Sequence, residues 1–277
     1  MLSHEFIRHA LLAGTAIAVA AGVLGYFLVT RSQLFTADAL GHVAFTGALL
    51  ALCFGVDARI GLFAATIGVA LLLGALEPRG RADDVVIGSA FAWVLGVGVL
   101  ALSIFTTSHS TGNGSAGVSV LFGSIYGLDA SAVRTAVVIA VAVVVVTLLI
   151  ARPLLFASID SAVAAARGVP VRLLGFGFLA LVGAEAAEAT QAVGALLLLG
   201  LLAAPAGAAV RLTTRPYRAM ALSVVIAVGS VWGGVAFSYA VPKVPPSFGI
   251  IAVATAAYLL SYTTRNGRRR VESVGTR

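Results

Sequence analysis

Several residue types are scarce in this chain, and each scarcity excludes a class of protein or site. The 277 residues include one cysteine, Cys53, which excludes an intrachain disulfide and a cluster of thiolate metal ligands. They include one lysine, Lys243, which lies in a proline-rich stretch and not in the G-x-x-x-x-G-K-S/T pattern of a phosphate-binding loop. The patterns H-E-x-x-H and G-x-S-x-G are also missing. We therefore expect no enzymatic activity, and any ATP hydrolysis that serves this chain requires a separate ATP-binding subunit.

Charge is scarce as well. Charged residues occupy 10% of the positions, whereas soluble domains carry roughly 25%. Hydrophobic residues occupy 60% of the positions, and the mean hydropathy is +1.06. A chain with so few charged residues cannot cover a water-exposed surface with polar groups. The composition therefore indicates a protein that lies in a lipid bilayer. The net charge of +7 does not indicate nucleic-acid binding, because the basic residues lie in loops between apolar runs.

The apolar runs are long enough to cross a bilayer as helices. A spanning helix needs about 20 apolar residues. A β-barrel would show short alternating strands, whereas residues 137–150 are apolar throughout except for Thr147. The first run exceeds the roughly 7–15 residues of a secretory signal, so we expect a retained helix. The sequence predicts an all-α, polytopic membrane bundle of about eight or nine transmembrane helices, within residues 9–29, 38–55, 60–76, 85–106, 132–151, 172–190, 193–210, 218–240 and 248–263.

The basic residues predict how the chain is oriented in a cell membrane. With nine spans and the N-terminus outside, 14 of the 18 basic residues lie on the cytoplasmic side, Arg31 among them. We expect one transmembrane domain over residues 1–265 and a flexible, basic cytoplasmic tail over residues 266–277. The uncharged stretch 107–117 suits an external loop, and residues 118–128 suit an interfacial or re-entrant helix.

Two ionisable residues stand four positions apart at the start of the second run. Asp38 and His42 share one face of a helix, and a carboxylate with an imidazole suits zinc, manganese or iron(II). Ionisable residues are costly in lipid, so a functional role is the first hypothesis. The pair can form a transient metal site, or half of a site completed by another helix or subunit. In the structural alternative, Asp38 caps the helix and His42 makes a hydrogen bond.

A second acidic pair lies near the boundary between the sixth and seventh runs. Glu185 and Glu188 are three residues apart and share a helix face, with Gln191 close by. Two interpretations stay open: the three residues form a secondary polar pathway that attracts cations at the outer mouth, or they are solvated in a short external turn.

Proline 205 lies inside the seventh run, in the stretch LLLLGLLAAPAGAAV. Because Pro205 removes a backbone hydrogen bond, we expect a kinked or broken helix. A broken helix would line a cavity, whereas a kink would serve packing alone.

The longest interruption on the predicted inner face spans residues 156–170. Ser158 or Asp160 can cap a short helix, residues 162–167 favour helix, and Gly168 with Pro170 ends it. The segment is either a cytoplasmic docking helix or an ordinary loop.

Several stretches, in this order, resemble the permease subunits of metal-type ABC importers, which take up zinc, manganese or iron. The resemblance extends from about residue 8 to residue 263, and one departure is that the docking segment, usually Phe-Asp-Pro-Glu, is Ile-Asp-Ser-Ala here. The matching stretches are residues 35–47 (FTADALGHVAFTG), 81–88 (RADDVVIG), 121–128 (LFGSIYGL), 166–173 (ARGVPVRL), 191–194 (QAVG) and 202–209 (LAAPAGAA).

The resemblance implies an assembly in the membrane. Two copies of the chain would pack around one pathway, two copies each of Asp38 and His42 would supply four ligands, and an extracytoplasmic receptor would deliver the ion. No cofactor would be permanently bound, and a divalent metal, zinc or manganese, would be the cargo. Since Arg31 lies inside, Asp38 would form an inner binding site. Two ATP-binding subunits would dock at Asp160, Ser161, Ala164, Arg167 and Gly168.

Two other functions remain compatible with the sequence. The chain could be a permease for a metal chelate or a vitamin, although that class generally has more spans and a longer chain. It could also be an ion-coupled secondary carrier that works without an ATPase.

Overall fold

The described segments of the chain fold into a bundle of helices. The computed structural model describes residues 5–76, 84–108, 123–195 and 198–274. Within these ranges the helices are α1 (Glu5–Thr30), α2 (Leu34–Cys53), α3 (Ala58–Leu76), α4 (Asp84–Ser108), α5 (Ala130–Leu149), α6 (Ala151–Ile159), α7 (Ser161–Ala166), α8 (Val171–Ala192), α9 (Leu198–Leu212), α10 (Pro216–Ala240) and α11 (Pro246–Val274).

The predicted membrane bundle is confirmed. In the described residues, eight helices are long and apolar enough to cross a membrane, and each coincides with a predicted span. The remaining predicted span corresponds to α9, whose 15 residues extend over only about 22 Å. It begins later than predicted, because the chain turns at residues 193–195, where Gly194 has a φ of +95°.

Two other sequence predictions fall partly outside the described residues. Residues 109–122 hold most of the predicted external loop and the start of the predicted interfacial helix, and they are not described. The end of that stretch forms one 3-10 turn, Ile125–Gly127. At the C-terminus, the backbone of α11 continues as helix to Val274, through most of the segment predicted as a tail.

The first helix is the centre of the hydrophobic core. Along α1, side chains such as Ile17, Leu24 and Phe27 are fully or almost fully buried. The helix packs against α5, α9 and α10. By contrast, α4 packs mainly on α2 and exposes Trp93 and Val99. An apolar helix that is buried on one side only is typical of a surface that faces lipid or another subunit.

Contacts between distant residues define the two ends of the bundle. At one end the guanidinium of Arg31 donates to Ser158 Oγ at 3.5 Å, and Arg172 donates to the carbonyl of Ala75 at 3.4 Å. At the opposite end Arg59 Nε donates to Gln191 Oε1 at 3.0 Å. We call these the inner end and the outer end, because the predicted orientation places Arg31 in the cytoplasm.

Two glycines allow α2 and α3 to cross closely, and this contact makes a testable prediction. A Cβ on Gly61 would overlap the carbonyl of Gly47, and a Cβ on Gly47 would lie 2.5 Å from the carbonyl oxygen of Gly61. We expect Gly61→Leu to lower the free energy of unfolding by about 1–3 kcal/mol, because an overpacked contact forces the backbones apart. Thermal unfolding of the detergent-solubilised protein measures the effect.

The matched control lies on the same helix. A Cβ on Gly68 would meet nothing within 4 Å, so Gly68→Leu should unfold at nearly the wild-type temperature. If the two variants unfold at the same temperature, the glycine contact does not hold α2 against α3.

Candidate functional site

Asp38 and His42 lie on α2 with their ligand atoms available. The helix begins at Leu34 and Gln33 occupies its N-cap position, so the interpretation of Asp38 as a helix cap is wrong. Both residues are half-buried. They interact electrostatically, and within the described residues neither side chain makes a hydrogen bond. The carboxylate and the imidazole are therefore both free to contact a ligand.

Helix α4 packs on α2 beside this pair. The Phe91 ring lies 5.1 Å from the His42 ring and 6.0 Å from the Phe35 ring, both edge to face. One turn beyond His42, Thr46 Oγ1 donates to the carbonyl of Val94 at 3.2 Å. Sequence analysis missed Phe91 and Thr46. The four-residue spacing could have indicated Thr46, but nothing in the sequence indicates that α4 packs here.

The second acidic pair is buried inside the bundle. Glu185 is 0% exposed and Glu188 is 3% exposed. Because α8 continues as helix to Ala192 and packs against α3, α2 and α5, the interpretation of a solvated external turn is wrong. Both oxygens of Glu185 and one of Glu188 lack a hydrogen-bond partner in the described part of the chain.

A polar cavity opens at the outer end, next to this acidic pair. Its volume is about 280 Å³, and Asp57, Arg59, Asp129 and Gln191 are among its lining residues. Asp129 caps α5 by accepting from the backbone N–H of Ala132 at 2.9 Å. That hydrogen bond, then one from Ser131 and the charge of Arg59, lower the pKa of Asp129. The cavity therefore carries two carboxylates and one guanidinium.

The structure does not join the Asp38–His42 pair and the Glu185–Glu188 pair into one site. Among the described residues, no three His, Cys, Asp or Glu side chains converge to hold a metal ion. Asp38 and His42 thus remain a two-residue site on α2, and Glu185 and Glu188 remain a separate two-residue group on α8.

The predicted short helix at the inner end is present as α7. The Asp160 carboxylate caps it by accepting from the N–H groups of Ala162 at 3.0 Å and Val163 at 2.9 Å. Gly168 ends it with a φ of +82°, a conformation that favours glycine. Asp160, Ser161, Arg167 and Gly168 are exposed, whereas Ala164 is buried. Ala164 therefore anchors the helix and does not face outward.

Beside α7 the inner end has an apolar cavity of about 780 Å³. It lies between α7 and the start of α8, where Ser161, Ala165, Pro170 and Phe176 contribute to its wall. Exposed capping residues next to a groove form a surface that another protein can contact.

A family model describes almost the whole chain. The model of the ABC 3 transport family matches residues 3–265. The chain belongs to this family. It is therefore a multi-pass membrane permease, the membrane subunit of an ABC transporter and not its ATPase.

Individual proteins that are similar to this chain agree with this placement. The chain is 26% identical over 266 residues to the manganese transport system membrane protein MntC of Halalkalibacterium halodurans, covering 95% of this chain and 88% of that protein. It is 27% identical over 204 residues to the chelated iron transport system membrane protein YfeD of Yersinia pestis, covering 73% and 67%. The solved structure of PsaBC from Streptococcus pneumoniae in complex with Fab has the same fold, with a TM-score of 0.80, 22% identity, and coverage of 94% and 91%.

In this ABC 3 permease, Pro205 does not break its helix. Helix α9 is continuous from Leu198 to Leu212 with Pro205 inside it. The missing N–H leaves the carbonyl four residues earlier, that of Leu201, without its usual helical donor. Of the two alternatives, a kinked or a broken helix, the broken helix is therefore wrong, and the kink stays a prediction.

Proposed function

We propose that two copies of this chain form the translocation pathway of an ATP-driven importer for a divalent metal ion, with Mn²⁺ as the first candidate cargo. The observation that carries the proposal is the Asp38–His42 pair, which leaves a carboxylate and an imidazole unengaged within a membrane-spanning helix. In a membrane such groups mark ion pathways. Relatives whose names state manganese or iron support this choice of cargo.

A second copy would complete the site. One chain offers two ligands, and the described residues contain no third close enough to hold a metal. A twofold symmetric pair would bring two carboxylates and two imidazoles to one axis. Partial, weak coordination suits a moving ion, because tight binding would prevent its release.

The proposed function is tested by measuring the uptake of radioactive Mn²⁺ in cells that lack their own manganese importer. These cells would carry the permease with its ATP-binding subunit and its extracytoplasmic receptor. We expect ATP-dependent uptake that unlabelled Mn²⁺ or Fe²⁺ inhibits and that metal chelates or vitamins do not. Inhibition by a chelate alone would favour the chelate permease, and uptake without the ATP-binding subunit would favour a secondary carrier.

The docking of the ATP-binding subunit on α7 gives a second prediction. Asp160→Ala removes the N-cap, which typically costs a helix about 0.5–2 kcal/mol. We expect α7 to fray and the ATP-binding subunit to be lost during copurification. Asp160→Asn is the matched control, because asparagine also accepts at an N-cap and should retain the partner. Equal retention by both variants would show that the capped helix is not the docking element.

A further inference from the structure

Glu185 and Glu188 are buried acids whose negative charge the described residues compensate only in part. Three of their four carboxylate oxygens are buried without a hydrogen-bond partner in the described residues. Burying a charge without a partner is strongly unfavourable. The two carboxylates also act on each other through space, so each worsens the electrostatic environment of the other. A pair of this kind is stable if a positive ligand lies between its members.

The surrounding helices do not supply that positive charge. Helix α8 packs mainly against α1, α2, α3 and α5, and to a smaller extent against α6, α7 and α9. The described charged or histidine residues of these seven helices are Glu5, Arg8, His9, Asp38, His42, Arg59, Arg134, Arg152 and Arg211. Of these, Arg59 acts on Glu188, while the charge that acts on Glu185 is that of Glu188.

Arg59 is itself shared among several acids. It donates to Gln191 Oε1, acts on Glu188 and also acts on Asp129 across the outer cavity. With Asp57 in the same cavity, three carboxylates lie around one guanidinium, and Glu185 adds a fourth negative group beside Glu188. The group therefore has an excess of negative charge.

We propose that Glu185 and Glu188 bind a divalent metal ion inside each copy of the chain, at a site separate from Asp38 and His42. This inference rests on the proposed function for the identity of the ion. The Glu185–Glu188 site would be the first binding site on the pathway, in the outer half of the protein. An entering ion would reach it before the Asp38–His42 pair that the two copies would share.

The route to this site lies beside Arg59. Gln191 lines the outer cavity, and Glu188 is one helical turn deeper on the same face of α8. The hydrogen bond from Arg59 to Gln191 lies at this entrance. The guanidinium of Arg59 thus lies at the entrance, held by its hydrogen bond to Gln191. A divalent ion that enters has to displace it.

The donor atoms define the class of ion. Two carboxylates with a neighbouring amide oxygen form an all-oxygen set, which suits Mn²⁺, Mg²⁺ and Ca²⁺ better than softer ions that prefer sulfur or nitrogen. Asp38 and His42 include an imidazole, so the two sites would have different preferences. An oxygen-only site ahead of an imidazole site would favour Zn²⁺ over Mn²⁺ less strongly than the imidazole site does.

The experiment counts Mn²⁺ ions bound to the purified permease in complex with its ATP-binding subunit. The background variant carries Asp38→Asn and His42→Ala, which removes the other site. Electron paramagnetic resonance of free Mn²⁺ gives the bound fraction. We expect the background variant to bind one Mn²⁺ per chain, and Glu185→Gln or Glu188→Gln in that background to weaken binding by a factor on the order of 10–100.

A matched control and the contrary outcomes complete the test. Glu5→Gln removes a carboxylate that is exposed at the start of α1, and it should leave the bound Mn²⁺ unchanged. If the background variant binds no Mn²⁺, or if neither glutamine variant weakens binding, the proposal is overturned and the acids are neutralised by protons alone. A count of zero in the background variant overturns the proposal whether or not the glutamine variants fold, and if one glutamine variant fails to fold, the other assigns the bound ion.

This test is separate from the test of function. Undiminished uptake by the Asp38→Asn, His42→Ala variant would contradict the proposed pathway and leave the ion count standing. An ion count of zero would contradict the Glu185–Glu188 site and leave the uptake result standing.

Discussion

Asp38→Asn and His42→Ala should each reduce Mn²⁺ uptake by a factor on the order of 100, while the protein remains folded and inserted. Even residues that only orient metal ligands change affinity by about 10–100-fold, so the loss of a direct ligand should cost at least as much. Asp38→Asn keeps the shape of the side chain and removes its charge. Uptake of radioactive Mn²⁺, normalised to the amount of permease in the membrane, measures the effect.

The chain contains its own control for this experiment. Glu5 and His9 also stand one helical turn apart, and His9 Nε2 lies 3.9 Å from Glu5 Oε1. They lie at the start of α1, where Glu5 is exposed to solvent. Glu5→Gln and His9→Ala should leave uptake unchanged. If both pairs of variants transport normally, a carboxylate and an imidazole in the second helix do not form the pathway.

Arg31→Met should uncouple ATP hydrolysis from uptake and destabilise the protein. Arg31 is 3% exposed and connects two regions, because it donates to Gln33 Oε1 at 2.9 Å and to Ser158 Oγ at 3.5 Å. Ser158 lies two residues before the cap of α7, and Gln33 lies five residues before Asp38. The guanidinium is also 5.5 Å from the Phe178 ring centroid. Arg31 thus ties the proposed docking helix to the helix of the metal pair.

The size of this effect follows from burial. Removing the guanidinium leaves the Gln33 oxygen without its donor, which costs about 1–3 kcal/mol for a buried group. Arg31→Lys keeps the charge and loses the Nε donor, so we expect an intermediate result. The ratio of Mn²⁺ ions transported to ATP hydrolysed, in proteoliposomes, measures coupling. Arg152→Met, on the exposed side of α6, is the control, and an unchanged ratio in Arg31→Met would contradict the connection.

The secondary structure was largely predictable from the sequence. Helices α1 to α5, α8, α10 and α11 follow from apolar runs of spanning length, and the cap of α7 follows from Asp160 before a run of alanines. These features depend on residues that are neighbours in the chain. One failure had a local cause too: the turn at Gly194 shortened α9. Helix α9 is also continuous through Pro205, which excludes the broken helix but not the predicted kink.

The sites were predictable only in part. The spacing of Asp38 and His42 placed them on one face of α2 correctly. The position of Glu185 and Glu188 near the end of an apolar run suggested a solvated turn, and that interpretation was wrong. Their burial depends on α1, α2, α3 and α5 closing around α8, and no local pattern encodes that.

The sequence by itself determined that this protein spans a membrane. It also determined which segments form helices and which residues could bind a metal ion. These properties follow from composition and short-range periodicity. The tertiary structure alone decided that Glu185 is enclosed, that Arg59 meets Gln191 and that Arg31 reaches Ser158. Each of those contacts joins residues separated by many positions in the chain, so it exists only after the helices have packed.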